Sequence, residues 1–463
     1  MRGWLLILCA VLFSSAFAQG LPFQQSGFES ASVGYAVCDM VTGKIVCERN
    51  ASIALTPASI TKIITTATAL ELLGEDFRFE TKLEYDGEIT PQGVLNGNLY
   101  IKGGGDPSLG SYRIGDPNFL NTWVEIIRKK GIKRIAGSVV ADASLFDTEG
   151  FSPKWIWEDI GNYYAAGVYA LSAFDNTCRV TLSSGGEGTT PQILSIEPQI
   201  EGFCLENHLI SKNIRSDSAY FYGAPLSNKR YLYGAVPTNK KSFIIKGDIP
   251  NPPLFVAIEL SKKLALSGIV VDEKPYVVFK TTANQRKLLY TNYSRKLAEI
   301  VKEINHRSNN FYAEHVLKYL ALQKEAVATL NTAIYLEKKY WENKGISTDG
   351  LFLFDGSGLS PSNAISPMFF VKLLSKMTQS AEFDTFYNSL PVAGESGTVS
   401  SFLLGSSLAG KVRVKSGSFG QVQCYAGYIS KRYAFAVMVN NFSCSRKVVK
   451  REIEYLLEHS VLR

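Results

Sequence analysis

Histidine is scarce in this chain, four in 463 residues, and none stands in an H-E-x-x-H pair. That spacing sets two imidazoles on one zinc ion beside a glutamate, so zinc-peptidase chemistry has no support. The seven cysteines include no C-x-x-C pair, which removes the common zinc and redox spacings. No G-x-S-x-G occurs, so the nucleophile turn of an α/β-hydrolase is missing. Gly103-Gly104-Gly105 is not followed into a helix by Lys-Ser or Lys-Thr, and it reads as a tight turn rather than a phosphate cradle. Past the N-terminal leader no run of about 18 apolar residues exists, so no transmembrane segment is expected. The surplus of basic residues, 49 against 42 acidic, is scattered and forms no stripe for nucleic acid. There is no internal repeat, and nothing implies a cofactor.

What is present is an ordinary globular composition, 46% hydrophobic and 20% charged. The length suits roughly two or three domains. The chain opens on Arg2, an apolar core from Trp4 to Phe13 and the small-x-small site Ala16-Phe17-Ala18. This reads as a signal peptide over residues 1–18, which places the mature protein in the periplasm or outside the cell. Cys9 lies inside that core, behind Leu8 and Ile7 rather than small residues, so it is not a lipid-attachment cysteine. Six cysteines then remain, and six allow 15 pairings. An exported protein favours disulfides, and the sequence neighbours Cys38–Cys47, Cys178–Cys204 and Cys424–Cys444 are the preferred pairs.

Residues 33–50 read as a hairpin, and Pro57 to Leu73 as a loop turning into a helix that Gly74 ends. Strand-like runs at Leu83–Tyr85, Leu99–Ile101 and Gly137–Ala141 surround a helix from Asn121 to Lys130. Residues 190–247 hold short strands, and a helix over Leu254–Leu266 follows. Past about residue 280 helices dominate: Tyr293–Asn305, Asn310–Leu322, Ala328–Lys344 and Pro367–Met377. Three strands (Val412–Val414, Gln423–Ile429, Tyr433–Asn440) and an amphipathic helix, Lys447–Leu462, close the chain.

Ser59 and Lys62 are three apart, so on a helix they share a face. A hydroxyl beside an amine at the start of a helix is a way to build a nucleophile. On its own such a pair is expected by chance about two times in a chain of this size. Here it has company. Ser308-Asn309-Asn310 lies between two helices, and Lys415-Ser416-Gly417-Ser418 follows a short strand. S-x-x-K and K-[ST]-G each occur once; S-x-N occurs twice, the other copy being Ser211-Lys212-Asn213. The order nucleophile, S-x-N, K-S-G is the signature set of penicillin-binding proteins and serine β-lactamases. The long separation of Lys62 from Ser308, with Gly103-Gly104-Gly105-Asp106-Pro107, Asp355-Gly356-Ser357-Gly358-Leu359-Ser360, Leu390-Pro391-Val392-Ala393-Gly394 and Ala426-Gly427-Tyr428, narrows this further. The chain resembles the D-alanyl-D-alanine carboxypeptidase/endopeptidase family, the class C low-molecular-mass penicillin-binding proteins. The likeness runs over about residues 30–460 and is weakest from 180 to 275. That family often has Thr where Ser416 stands and Asp where Asn309 stands.

The resemblance implies an α+β fold, the β-lactamase/penicillin-binding transpeptidase-like catalytic domain, with a five-stranded antiparallel sheet covered by helices on both faces. That domain would be discontinuous, residues 21–82 and 278–463. Residues 83–277 would form an inserted region with one α/β part and a nested β part. It also implies roles. Ser59 attacks the carbonyl between two D-alanines, and Lys62 takes its proton. Ser308 relays a proton to the leaving amine, and Asn310 holds a substrate amide. Lys415 and Ser416 bind the terminal carboxylate. The backbone beside Gly417, at Ser418, joins that of Ser59 in an oxyanion hole. The partners would be peptidoglycan stem peptides, with β-lactams as covalent inhibitors. Two alternatives share the scaffold: a β-lactam hydrolase and a non-catalytic wall-binding protein. Glu158 and Asp159, near Tyr163 and Tyr164, are candidates to receive the ammonium of a stem-peptide diamino acid, set against the plainer reading of a solvated acidic pair.

Overall fold

A computed structural model describes residues 22–281 and 285–461. The expected signal peptide, with Cys9, lies outside the described residues.

The two ends of the chain build one antiparallel sheet. Strands β1 (Ser32–Asp39) and β2 (Lys44–Arg49) come from the start, and β3 (Val412–Phe419), β4 (Val422–Ile429) and β5 (Tyr433–Asn440) from the end. Their order is β2-β1-β5-β4-β3. β1 and β5 pair along their full length, from Ser32 opposite Asn440 to Asp39 opposite Tyr433. Side chains alternate across the sheet, so each strand feeds two cores. Ala36, Cys38, Cys424, Ala426 and Tyr428 point to one face. Val33, Val37, Tyr425 and Ile429 point to the other. Every residue of β4 is buried, as expected of a strand with helices over both faces.

The first face carries α1 (Lys62–Leu73), α2 (Leu297–Arg307), α3 (Asn310–Leu320), α4 (Leu330–Asn343), α5 (Pro367–Met377) and the short α6 (Phe383–Ser389). The second carries α7 (Arg446–Val461), whose Val449, Ile453 and Leu457 are fully buried. The sequence predicts five of these seven helices to within a few residues at most ends and α2 with too early a start, at Tyr293 rather than Leu297; it misses α6. α1 is unusual in being buried on every side from Lys62 to Leu70. Its threonines fit because they find local acceptors: Thr66 Oγ1 donates to the Lys62 carbonyl (2.7 Å) and Thr68 Oγ1 to that of Ile64 (2.8 Å). Gly74 ends the helix at φ 80°.

The expected disulfides are absent: Cys38, Cys47, Cys178, Cys204, Cys424 and Cys444 are all free. The sheet explains two of the three pairs. Cys47 lies opposite Val37, not Cys38, so Cys38 faces the α1 side while Cys47 faces the α7 side. Cys424 and Cys444 are divided between the same two faces. Cys178 is fully buried, and its Sγ donates to the Asp248 carbonyl, whereas Cys204 is exposed.

The intervening chain forms a second five-stranded sheet, ordered Tyr276–Val278, Val139–Asp142, Leu99–Lys102, Glu80–Tyr85, Lys287–Tyr293. Helices Phe119–Lys129 and Pro252–Leu266 fill its core through Trp123, Ile127, Val256 and Leu260. Small sheets over residues 177–248 enclose a separate core around Val180, Phe221, Leu232 and Ile245. Arg230 and Asp248 form a fully buried two-pronged ion pair there, both bonds 2.8 Å. Gly103 and Gly104 serve close packing: a Cβ on either would lie within 2.4 Å of a backbone atom of Ala170 or Glu80.

Candidate active site

The chain reaches the site through a strained step. Ala58 has φ 46°, a left-handed value that non-glycine residues seldom adopt. A single 3₁₀ turn, Ala58–Thr61, then carries Ser59 to the start of α1. β3 runs beside this turn, and Gly417 makes the approach possible. A Cβ there would sit 2.7 Å from the Pro57 carbonyl and 2.8 Å from the Ser59 amide nitrogen. β3 also extends further than its composition suggests, so Lys415, Ser416 and Gly417 lie within the strand rather than after it.

Lys62 occupies the centre. Its side chain is wholly buried, and Nζ donates to Ser59 Oγ (3.0 Å), Asn310 Oδ1 (2.6 Å) and the Ser357 carbonyl (2.5 Å). Burial lowers its pKa to about 7, against the opposing pull of the Asp355 and Glu314 carboxylates. Lys415 is likewise wholly buried, donating to Ser308 Oγ (2.9 Å) and to the carbonyl of Ser416 (2.7 Å). Its pKa falls well below the ordinary amine value, chiefly through burial and further through the Lys62 charge. The charge of each amine therefore disfavours the charge of the other.

Ser308 joins α2 to α3 in a left-handed conformation, φ 58°, which aims its hydroxyl at Lys415. Asn309 caps α3, accepting from the Tyr312 amide at 3.2 Å. Asn310 opens α3, its Oδ1 on Lys62 and its Nδ2 donating to the Tyr164 carbonyl at 2.9 Å. Ser416 Oγ pairs with Thr398 Oγ1 at 2.8 Å. The structure thus brings Ser59, Lys62, Ser308, Asn310, Lys415 and the Ser416–Ser418 strand end together. The second S-x-N lies far off in the small sheets, with Ser211 buried beside Thr189.

Sequence reasoning noted Asp355-Gly356-Ser357-Gly358 but gave it no role. The structure shows it as the strap that carries the Ser357 carbonyl to Lys62. Asp355 Oδ1 accepts from the Gly358 amide (2.8 Å) and Oδ2 from the Ser360 amide (2.6 Å) and Trp155 Nε1 (2.8 Å). Glu314 Oε1 accepts from the amides of Gly356 (3.0 Å) and Ser357 (2.7 Å). Glu314 stands four residues after Asn310, on the same face of α3, and that spacing was its only sequence signal.

A cleft of about 560 Å³ opens at Ser59, with Ser418 and Gly358 on one side and Glu158, Asp159 and Tyr220, from the chain between the two halves of the first sheet, on the other. Tyr164 donates its hydroxyl to Asp159 Oδ1 at 2.9 Å. Burial raises the pKa of Asp159.

The D-Ala-D-Ala carboxypeptidase 3 (S13) family model matches residues 22–458. The chain is 26% identical over 438 residues to a D-alanyl-D-alanine carboxypeptidase of Actinomadura sp., which covers 91% of this chain and 80% of the relative. The fold is similar to the crystal structure of penicillin binding protein 4 (dacB) from Haemophilus influenzae, with TM-score 0.83, 24% identity, and 93% and 96% of the two chains covered. A second structure of that protein, complexed with a β-lactam, has TM-score 0.79 at 23% identity, again with 93% and 96% covered.

Proposed function

The chain belongs to the D-Ala-D-Ala carboxypeptidase 3 (S13) family and is a serine D-Ala-D-Ala carboxypeptidase, a penicillin-binding D,D-peptidase; within that activity we propose that Ser59 is its nucleophile and Lys62 its base. Lys62 in its neutral form, which a pKa of about 7 makes available at neutral pH, takes the Ser59 proton as Oγ bonds to the penultimate D-alanine carbonyl. The negative charge that grows on that oxygen meets the backbone N–H groups of Ser59 and Ser418, each such donor being worth about 3–4 kcal/mol in serine hydrolases of other folds. The C–N bond then breaks, and the departing amine receives a proton from Ser308, which Lys415 resupplies. Asn310 holds the acyl-side amide. Lys415 and Ser416 receive the terminal carboxylate. Water hydrolyses the Ser59 ester and frees the shortened peptide.

The observation that carries this reading is the wholly buried Lys62 amine 3.0 Å from Ser59 Oγ, with its pKa brought to about 7. The separate cores of the two sheets support an inserted region in a discontinuous catalytic domain, but strands Glu80–Tyr85 and Lys287–Tyr293 belong to the second sheet, so its bounds lie nearer 80–293 than the expected 83–277. The leader pattern supports export to the peptidoglycan, and the β-lactam complex of a protein of similar fold supports acylation by penicillins.

Incubation with a fluorescent penicillin, alongside D-alanine release from a stem pentapeptide, tests the assignment. The expected result is a long-lived adduct and D-alanine release, both lost in Ser59→Ala. Rapid drug turnover without D-alanine release would point to a β-lactam hydrolase. An adduct that survives in Ser59→Ala would remove Ser59 from its role.

A further inference from the structure

We infer that a tyrosine-lined sheet face beside the cleft is a saccharide site: it binds the glycan strand that carries the stem peptide, by stacking on its N-acetylated amino-sugar rings. The inference rests on the peptidase reading above.

The face comes from the small sheets over residues 177–248. Strand Lys229–Tyr233 lies between Cys204–Asn207, which runs parallel to it, and Tyr220–Gly223, which runs antiparallel. Tyr220 stands opposite Tyr233, and Tyr222 opposite Tyr231. Alternation sends Phe221 and Leu232 inward, where both are buried in the core of these sheets. It sends all four tyrosines outward. A sheet face turned to solvent ordinarily carries polar chains. A run of aromatic rings there is the kind of exposed patch that marks a binding surface.

The rings are continuous. Tyr220 lies 6.3 Å from Tyr222, centroid to centroid, and Tyr222 lies 5.8 Å from Tyr233. Trp157 tilts against Tyr222 at 4.7 Å, and His208 stacks on Tyr233 at 4.8 Å. Trp157 is 65% exposed and Tyr233 46%. The run starts in the cleft. Tyr220 lines it beside Ile156 and Glu158, the two neighbours of Trp157 in sequence, while Tyr222 and Tyr233 stand beyond its lining. A chain joined to a peptide in the cleft can therefore pass directly onto the rings.

Chemistry picks the occupant. A stem peptide hangs from its glycan by an amide to the muramyl carboxyl, so the sugars next to it carry no charge. Glu206, opposite Tyr231 on the same face, pairs with Lys229 at 2.5 Å, and the two add no net charge. A pyranose has an apolar C–H face and a rim of hydroxyls and amides. A tyrosine matches it with a flat apolar body and a hydroxyl at the tip. A protein that held the strand as well as the stem would raise the effective concentration of each stem at Ser59.

The test compares D-alanine release from a free stem pentapeptide with release from the same peptide carried on a soluble glycan oligomer. It uses the full mature enzyme and a Tyr222→Ala/Tyr233→Ala double variant. Wild type should favour the glycan-borne substrate by about tenfold in kcat/KM, the scale of two ring stacks, mainly through KM. The double variant should lose that advantage. Its turnover of free pentapeptide and its acylation by penicillin should stay unchanged, which also shows that it is folded. Tyr222→Phe/Tyr233→Phe, which keeps the rings, should retain most of the advantage. Equal kcat/KM on both substrates in wild type, or an advantage that survives in the double variant, overturns the inference while the Ser59 assignment stands. A dimer in sedimentation that the double variant dissolves also overturns it, since the face is then an interface between copies. A wild type that releases D-alanine from neither substrate would bring down the peptidase reading itself.

Discussion

Ser59 and Lys62 show how far one residue's chemistry depends on its surroundings. A lysine in water is a cation at neutral pH and no base. Here Lys62 has no contact with solvent, and its three acceptors are a hydroxyl, an amide oxygen and a carbonyl, none of them charged. The carboxylates of Glu314 and Asp355 lie one step further out, bound to the backbone of the strap. They favour the charged amine, and burial outweighs them. The pH dependence follows. Only the neutral amine accepts the Ser59 proton, so acylation by a penicillin should rise with pH through about 7 and level off above it. The second-order acylation rate, measured from pH 5.5 to 9, checks this. A flat profile, or a midpoint near the ordinary lysine value, would show that Lys62 is not the base. The residues on the three motifs were legible because order and spacing survive without a structure. The left-handed turn at Ser308 and the Ser357 carbonyl were not, because backbone direction leaves no residue-type signature.

At the level of elements, the sequence predicts α3, α4, α5 and α7 within a few residues, because apolar spacing and caps agree there. Thr329 and Ser366 each accept from the backbone at a helix start. β3 reads short because Ser416, Gly417 and Ser418 have poor strand propensity; full pairing with β4 holds them in the sheet. Burial of charge was also hidden. Glu337 lies among Lys338, Lys339 and Glu342 and looks like part of a solvated face. It is instead wholly buried in α4, and neither of its carboxyl oxygens has a hydrogen-bond partner. Burial, with the nearby Glu314 and Asp355 charges, raises its pKa to about 8. A folded value above the unfolded one means that the folded state holds the proton more tightly. Its stabilising effect is complete below the unfolded value near 4.5 and is lost as pH rises towards 8. Glu337→Gln keeps the shape without the proton. Its melting temperature should match wild type near pH 4 and exceed it by a few degrees at pH 8, where each kcal/mol is worth about 1 °C in a chain of this length. A variant that melts lower at pH 8, with its acylation rate intact, would show that Glu337 has a partner that stabilises its charge.

Across the whole molecule, the first and last strands close one sheet, and the chain between them returns to wall the cleft that this sheet bears. The sequence pointed to the five-stranded sheet, but two of the preferred cysteine pairs stand on opposite faces of it, which nearness in sequence does not reveal. The wall matters for selectivity. Glu158 and Asp159 come from the chain between the two halves of the first sheet, Ser59 and Ser418 from those halves, and all four line the same cleft. Among the described residues the lining of that cleft includes no lysine, arginine or histidine. Tyr164 holds Asp159 in place, which a merely solvated carboxylate would not need. A substrate side chain that ends in an ammonium should therefore bind better than one that ends in a methyl. One that bears both ammonium and carboxylate should gain less, since its second charge finds no partner and meets two like charges. The measurement is kcat/KM for stem peptides with lysine, norleucine or a diamino diacid at the third position. Wild type should prefer lysine over norleucine by about tenfold, the scale of one charge-assisted contact in a partly buried cleft. Glu158→Gln/Asp159→Asn, which keeps the Tyr164 bond, should erase that preference while leaving penicillin acylation unchanged. If the variant keeps the same order of substrates, the acidic pair is a solvated one and selectivity lies elsewhere in the cleft.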